Sequence, residues 1–161
     1  MLILGVDPGL DGALAAVALD GSLISVTDMP TIKPGAKRAI DEVELARILA
    51  DFGHISAVAL ELVGVRPGEG GVGAFTFGKG IGLIRGMLRM KFLPIMDCTP
   101  RTWQRAVGIE TGAGKDASRA LAKERFQRHA HLFARVKDDG RSDACLIALW
   151  GLQQYRSGAV G

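Results

Sequence analysis

The first 28 residues leave this chain few folds. Three apolar runs, at 2–7, 13–19 and 22–28, read as short strands. Asp20-Gly21 supplies a tight hairpin turn between the second and third, so an antiparallel meander opens the sheet. The first run, LILGV, ends on Asp7, and Pro8 and Gly9 follow at once. A core strand that stops on a carboxylate raises the question of what the acid faces.

The rest of the chain extends the sheet and covers it. MPTIKPGAK (29–37) reads as a loop, and Asp41 as the N-cap of a helix with Glu44 three residues on. Leu45, Ile48, Leu49 and Phe52 form that helix's apolar stripe, and Gly53 ends it. ISAVALELV (55–63) is a buried strand, RPGEGGVGAF a glycine-rich loop, and 77–91 a helix of low propensity, dotted with Gly78, Gly80, Gly82 and Gly86. Residues 92–96 read as a further strand, and Pro100 opens a short helix containing Trp103. After a glycine-rich break come a basic helix at 116–128 and a last helix at 139–155. The expected class is mixed α/β: an N-terminal antiparallel meander feeding parallel strands, flanked by helices, in one domain over 1–161.

Composition excludes several classes. With 48% hydrophobic and 23% charged residues the chain is of ordinary globular make-up, and its longest apolar runs fall well short of the roughly 20 residues of a membrane span. No basic lead precedes the first apolar run, and the two cysteines form no CxxC, so a cytoplasmic protein without a disulfide framework is expected. Charge is unevenly spread, with 4 basic and 9 acidic side chains in residues 1–64 against 14 and 5 in residues 65–137. A basic middle beside acidic ends suits a polyanion ligand gathered around a carboxylate cluster, although solvated helix faces would give the same excess.

The acids carry the chemistry. Ile3, Gly5 and Asp7 share one strand face, and Ala57, Ala59 and Glu61 share another, so two strands each deliver a carboxylate near the C-terminal end, where open α/β sheets bind ligands. In KDDGRSDACLIALWG (137–151), Asp139 and Asp143 are four apart and stack on one helix face, whereas Asp138 lies about 140° round from Asp143. Four such acids brought together would repel one another unless a cation intervened. Oxygen-only donors favour Mg²⁺, with Mn²⁺ as a substitute, and the cluster suits two ions working on a phosphodiester. Two of the acids also have a plainer reading, Asp7 as a turn residue and Asp139 as a helix cap, whereas Glu61 is harder to dismiss, because Glu is depleted from strands and rarely buried unless paired.

Taken in order, GVDPGLDGALA, the ALE of strand 55–63, the P-x-x-W of PRTWQR and DDGRSDACLIALWG resemble the RuvC-type Holliday junction resolvases of the RNase H-like superfamily, in particular their phage-borne and chloroplast branches. The resemblance spans the chain. It implies an RNase H-like fold and a Mg²⁺-dependent homodimer that nicks opposed strands of a four-way DNA junction, with Asp7, Glu61, Asp139 and Asp143 as metal ligands and Lys115 near the scissile phosphate. Bacterial members space the last two acids three apart, whereas the choice here is four (Asp139) or five (Asp138).

In a junction-binding enzyme Phe75 or Phe77 could stack on an unpaired base, with Lys79, Arg85, Arg101, Arg105, Lys115, Arg119 and Lys123 meeting phosphates. Trp103 reads as a packing residue, and no chemistry is assigned to His54, His129 or His131. Two other functions compete. GVDPGLDGALAAV also resembles the first phosphate loop of actin-like ATPases, which need two such domains, and a junction-binding protein with purely structural acids would show the same motifs.

Overall fold

The computed structural model describes residues 1–64, 70–114 and 116–159. Its sheet has five strands: β1 (Leu2–Asp7), β2 (Ala13–Ala18), β3 (Leu23–Asp28), β6 (Ile55–Glu61) and β7 (Ile95–Cys98), in the order β3-β2-β1-β6-β7. The first three are antiparallel, and β6 and β7 continue parallel to β1. The mixed sheet with its N-terminal meander is as the sequence predicts.

The two-residue strand β4 (Thr31–Ile32), inside the stretch read as loop, pairs with β5 (Ala39–Ile40) just beyond it, and the pair leads into α1 (Glu42–Asp51). Asp41 caps α1 by accepting from the Val43 and Glu44 amides at 3.1 and 3.0 Å. The other helices are α2 (Gly71–Met90), α3 (Pro100–Val107), α4 (Ala117–Arg125) and α5 (Asp139–Arg156). No helix among the described residues is long and apolar enough to cross a membrane.

Each sheet face has its own helices. Leu4, Val6, Leu14, Val58 and Leu60 pack under Leu45 and Leu49 of α1 and Ile84 and Leu88 of α2. The opposite face carries small residues at Ala13, Ala15, Ala57 and Ala59 beside Ile3 and Val17, and receives α4, α5 and α3. Small side chains there let α5 lie almost on the sheet. A Cβ on Gly5 would overlap the Ala144 carbonyl and the Ala148 backbone, and one on Gly140 would overlap the Asp11 carbonyl. Because the obstacles are backbone, they cannot rotate away. Gly5→Ala is therefore expected to lower stability by about 3 kcal/mol, read as a lower urea midpoint, and an unchanged midpoint would mean that α5 does not approach β1 this closely.

Three local expectations differ. α2 begins at Gly71, within the stretch read as loop, because glycine costs a helix only about 1 kcal/mol per residue and packing of Ile84 and Leu88 anchors the run. Strand β7 lies at 95–98 rather than 92–96, since Phe92 adopts φ 55°, is 93% exposed and belongs to the turn after α2. The basic helix ends at Arg125, and residues 127–133 continue as a kinked 3₁₀ run that buries Phe133 against Phe126.

Candidate active site

Sheet register brings the strand acids together. Gly5 pairs with Ala59 and Val6 with Leu60 across parallel β1 and β6, so Asp7 and Glu61 close adjacent strands at the same end. α5 runs back over β1, its first turn against Asp11 and Gly12 and its later turns against Ile3 and Ala59. Its N-terminus therefore sits at that same sheet end. Asp7, Glu61, Asp139 and Asp143 all line one cleft of about 400 Å³, with Asp11, Gly12 and Phe77 completing its wall.

Each acid is held by something. Asp7 Oδ1 accepts from the Gly9 amide at 3.2 Å, so the Pro-Gly turn that ends the strand also orients its carboxylate. Trp103, fully buried on α3, donates its indole N–H to Glu61 Oε1 at 2.6 Å. Ser118 of α4 hydrogen-bonds Asp143. The Nε of neighbouring Arg119 lies 2.8 Å from Asp139 Oδ1. Asp138 faces elsewhere: it is 1% exposed, and hydrogen bonds from Arg135 hold its carboxyl below the usual range. Of the two aspartates, the structure puts Asp139 on the cleft.

Burial pushes the Asp143 carboxyl up to about 7 despite the Ser118 hydrogen bond, and the charges of Asp7, Glu61 and Asp139 add to the rise. Its buried Oδ1 has no hydrogen-bond partner among the described residues. As the side chains stand, no three His, Cys, Asp or Glu groups among those residues close on a single ligand point. The donor set is nonetheless the one a hard divalent cation takes: oxygen only, charge-dense and with an unsatisfied buried oxygen.

The other site residues fall into groups. Phe77 lies between the acid cleft and an adjoining cavity of about 490 Å³ walled by Phe75, Lys79, Leu10 and Arg38, and Phe75 is 75% exposed. Arg101 and Arg105 are exposed four apart on α3, and Lys123 is half-buried on α4. Two arginines depart from the reading as phosphate contacts. Arg85 is committed to Asp97 through two 2.7 Å hydrogen bonds, and Arg119 is only 9% exposed and paired with both Asp116 and Asp139. Lys115 lies outside the described residues.

Sequence reasoning missed the partners Trp103, Ser118 and Arg119. Only Trp103 left a signal, since a buried indole N–H needs an acceptor. Trp103→Phe keeps the packing and removes that donor. It is expected to weaken Mn²⁺ binding in the cleft about 10- to 100-fold, and an unchanged affinity would show that Glu61 does not depend on it.

Comparison with solved structures places this geometry. A Thermus thermophilus RuvC chain in complex with Holliday junction substrate superposes with a TM-score of 0.75 at 19% identity, covering 99% of this chain and 98% of that one. The chain has the RuvC fold. A second Thermus thermophilus RuvC structure gives a TM-score of 0.71 at 21% identity, with the same coverage. Among curated proteins it is 35% identical over 124 residues to Holliday junction resolvase MOC1, chloroplastic, of Chlamydomonas reinhardtii. That match takes in 71% of the RuvC-fold chain but 14% of the length of its curated relative. No family model matches.

Proposed function

We propose that this chain is a divalent-metal-dependent endodeoxyribonuclease that resolves four-way DNA junctions by paired, symmetric cuts. The observation that carries the reading is the convergence of Asp7, Glu61, Asp139 and Asp143 on one cleft, with Asp143 raised to about 7 by burial and by the neighbouring acids. The curated relative named for Holliday junction resolution and the RuvC neighbour held with such a junction supply the substrate class.

Asp7, Glu61, Asp143 and, once freed from Arg119, Asp139 would hold the metal, two Mg²⁺ or Mn²⁺ ions by the acid count. Bound there, such ions supply an activated water and stabilise the leaving oxygen of the phosphodiester. Trp103 fixes one oxygen of Glu61, and Ser118 limits the rotation of Asp143. Phe77, beside the acids, and Phe75, in the adjoining cavity, stack on bases unpaired at the branch point, worth about 1–3 kcal/mol each. Lys79, Arg101, Arg105 and Lys123 meet phosphates, which makes binding salt-sensitive and indifferent to sequence.

Paired cuts need two sites related by a two-fold axis, which a homodimer provides, and the glycine-dotted face of α2 is the proposed contact. The test is a synthetic junction with two differently labelled opposed strands, incubated with and without Mg²⁺, beside light scattering of the free protein. Paired nicks only with metal, from a particle of twice the chain mass, are expected. No nicking with either Mg²⁺ or Mn²⁺ would remove the enzymatic reading, and a monomer cutting one strand at a time would remove the symmetric one.

A further inference from the structure

The first turns of α4 reach both acids of α5: Ser118 hydrogen-bonds Asp143, and Arg119 lies against Asp139. The Arg119 contact is unusual. Its Nε is 2.8 Å from Asp139 Oδ1, yet both atoms are buried without a hydrogen-bond partner, so the N–H does not point at the oxygen. The pair is held by charge alone, and breaking it loses no hydrogen bond. The same guanidinium also hydrogen-bonds Asp116, which would keep it neutralised if Asp139 moved away. Arg119 is 9% exposed, which leaves little of it for DNA.

We propose that Arg119 is a positioning residue, the resident counter-cation of Asp139, which keeps that carboxylate on the cleft wall and yields it when a divalent ion arrives. This rests on the reading of the cleft as a metal site. Arg119 and a divalent ion compete for the same carboxylate. A carboxylate facing a guanidinium is drawn away from the other acids, in keeping with the absence of a closed three-ligand set among the described residues. Linkage makes the effect reciprocal: whatever factor the cation takes from the Arg119–Asp139 pair, Arg119 takes from cation affinity.

The test is a Mn²⁺ titration followed by electron paramagnetic resonance on the full chain and on Arg119→Gln and Arg119→Lys. The Gln variant, which lacks the charge, is expected to bind Mn²⁺ about tenfold more tightly, an ordinary size for coupled contacts, and the Lys variant to stay near the parent. In the parent, the ¹⁵Nε resonance of Arg119 is expected to shift on saturation with Mg²⁺. A purely structural arginine predicts equal or weaker binding in Arg119→Gln, and that result overturns the proposal. If Arg119→Gln does not fold, a ¹⁵Nε signal that stays put in Mg²⁺ overturns it instead. Failure of the parent to bind Mn²⁺ at all would take down the metal reading as well, whereas parent binding with no change in the variant sinks only the role of Arg119.

Discussion

Asp7→Asn and Glu61→Gln are each expected to slow Mg²⁺-dependent junction cleavage by about 10³-fold or more, the equivalent of about 4 kcal/mol of transition-state stabilisation. Both changes are near-isosteric. The Asn side-chain oxygen can still accept from the Gly9 amide, and Gln can still accept from the Trp103 indole, so the local structure has no reason to collapse. What each loses is the negative charge that would hold a cation at the end of β1 or β6. Junction affinity, measured by gel shift without metal, should stay within about twofold or improve, because an acid facing a phosphate opposes binding. Normal cleavage rates in both variants would show that these carboxylates are structural. Loss of binding and cutting together would show that they shape the DNA surface.

The second large effect is on stability. The folded Asp143 carboxyl titrates at about 7, against 3.8 for an ordinary aspartate, chiefly because it is buried. The folded state therefore holds its proton more tightly than the unfolded chain does, and stability falls as pH rises from about 4 to about 7. Three pH units correspond to about 4 kcal/mol; contact with water at this partly exposed site reduces that to about 2 kcal/mol. Asp143→Asn cannot ionise. In a chelator at pH 8 it should melt about 4–8 °C above the parent, with the difference gone at pH 4, while cleavage is lost. Mg²⁺ should raise the melting temperature of the parent at pH 8 and leave the variant unmoved. A parent that in chelator gains stability over the variant between pH 5 and pH 8 would show that Asp143 sits in a well-compensated environment.

Much of this site was legible in the sequence because it is built from short-range patterns. A strand that alternates faces every second residue puts Asp7 beyond Ile3 and Gly5, and Glu61 beyond Ala57 and Ala59, whatever the rest of the chain does. Helical spacing separates Asp139 from Asp138 in the same way, and the structure turns Asp138 to Arg135 while Asp139 reaches the cleft. The Asp41 cap and the Asp20-Gly21 turn are equally local.

Local reading failed where a distant partner sets the outcome. The bounds of β7 come from pairing with β6, with Val58 opposite Ile95 and Glu61 opposite Cys98, and nothing in residues 92–98 announces that register. The early start of α2 is a tertiary result for the same reason. Charge patterning marked Arg85 and Arg119 as cations but could not say that Asp97 and Asp139 would claim them.

The sequence by itself therefore determined which residue types end which elements: carboxylates at two strand ends and a helix start, with small residues and glycines along the faces that must come close. Tertiary structure decided what each carboxylate meets. Trp103 reaches Glu61 across 42 positions, and α5 settles onto β1 only because Gly5 leaves room for its backbone. Hydrogen bonds and ion pairs act over a few ångströms, and the chain brings distant residues within that range only when the sheet and its helices have packed.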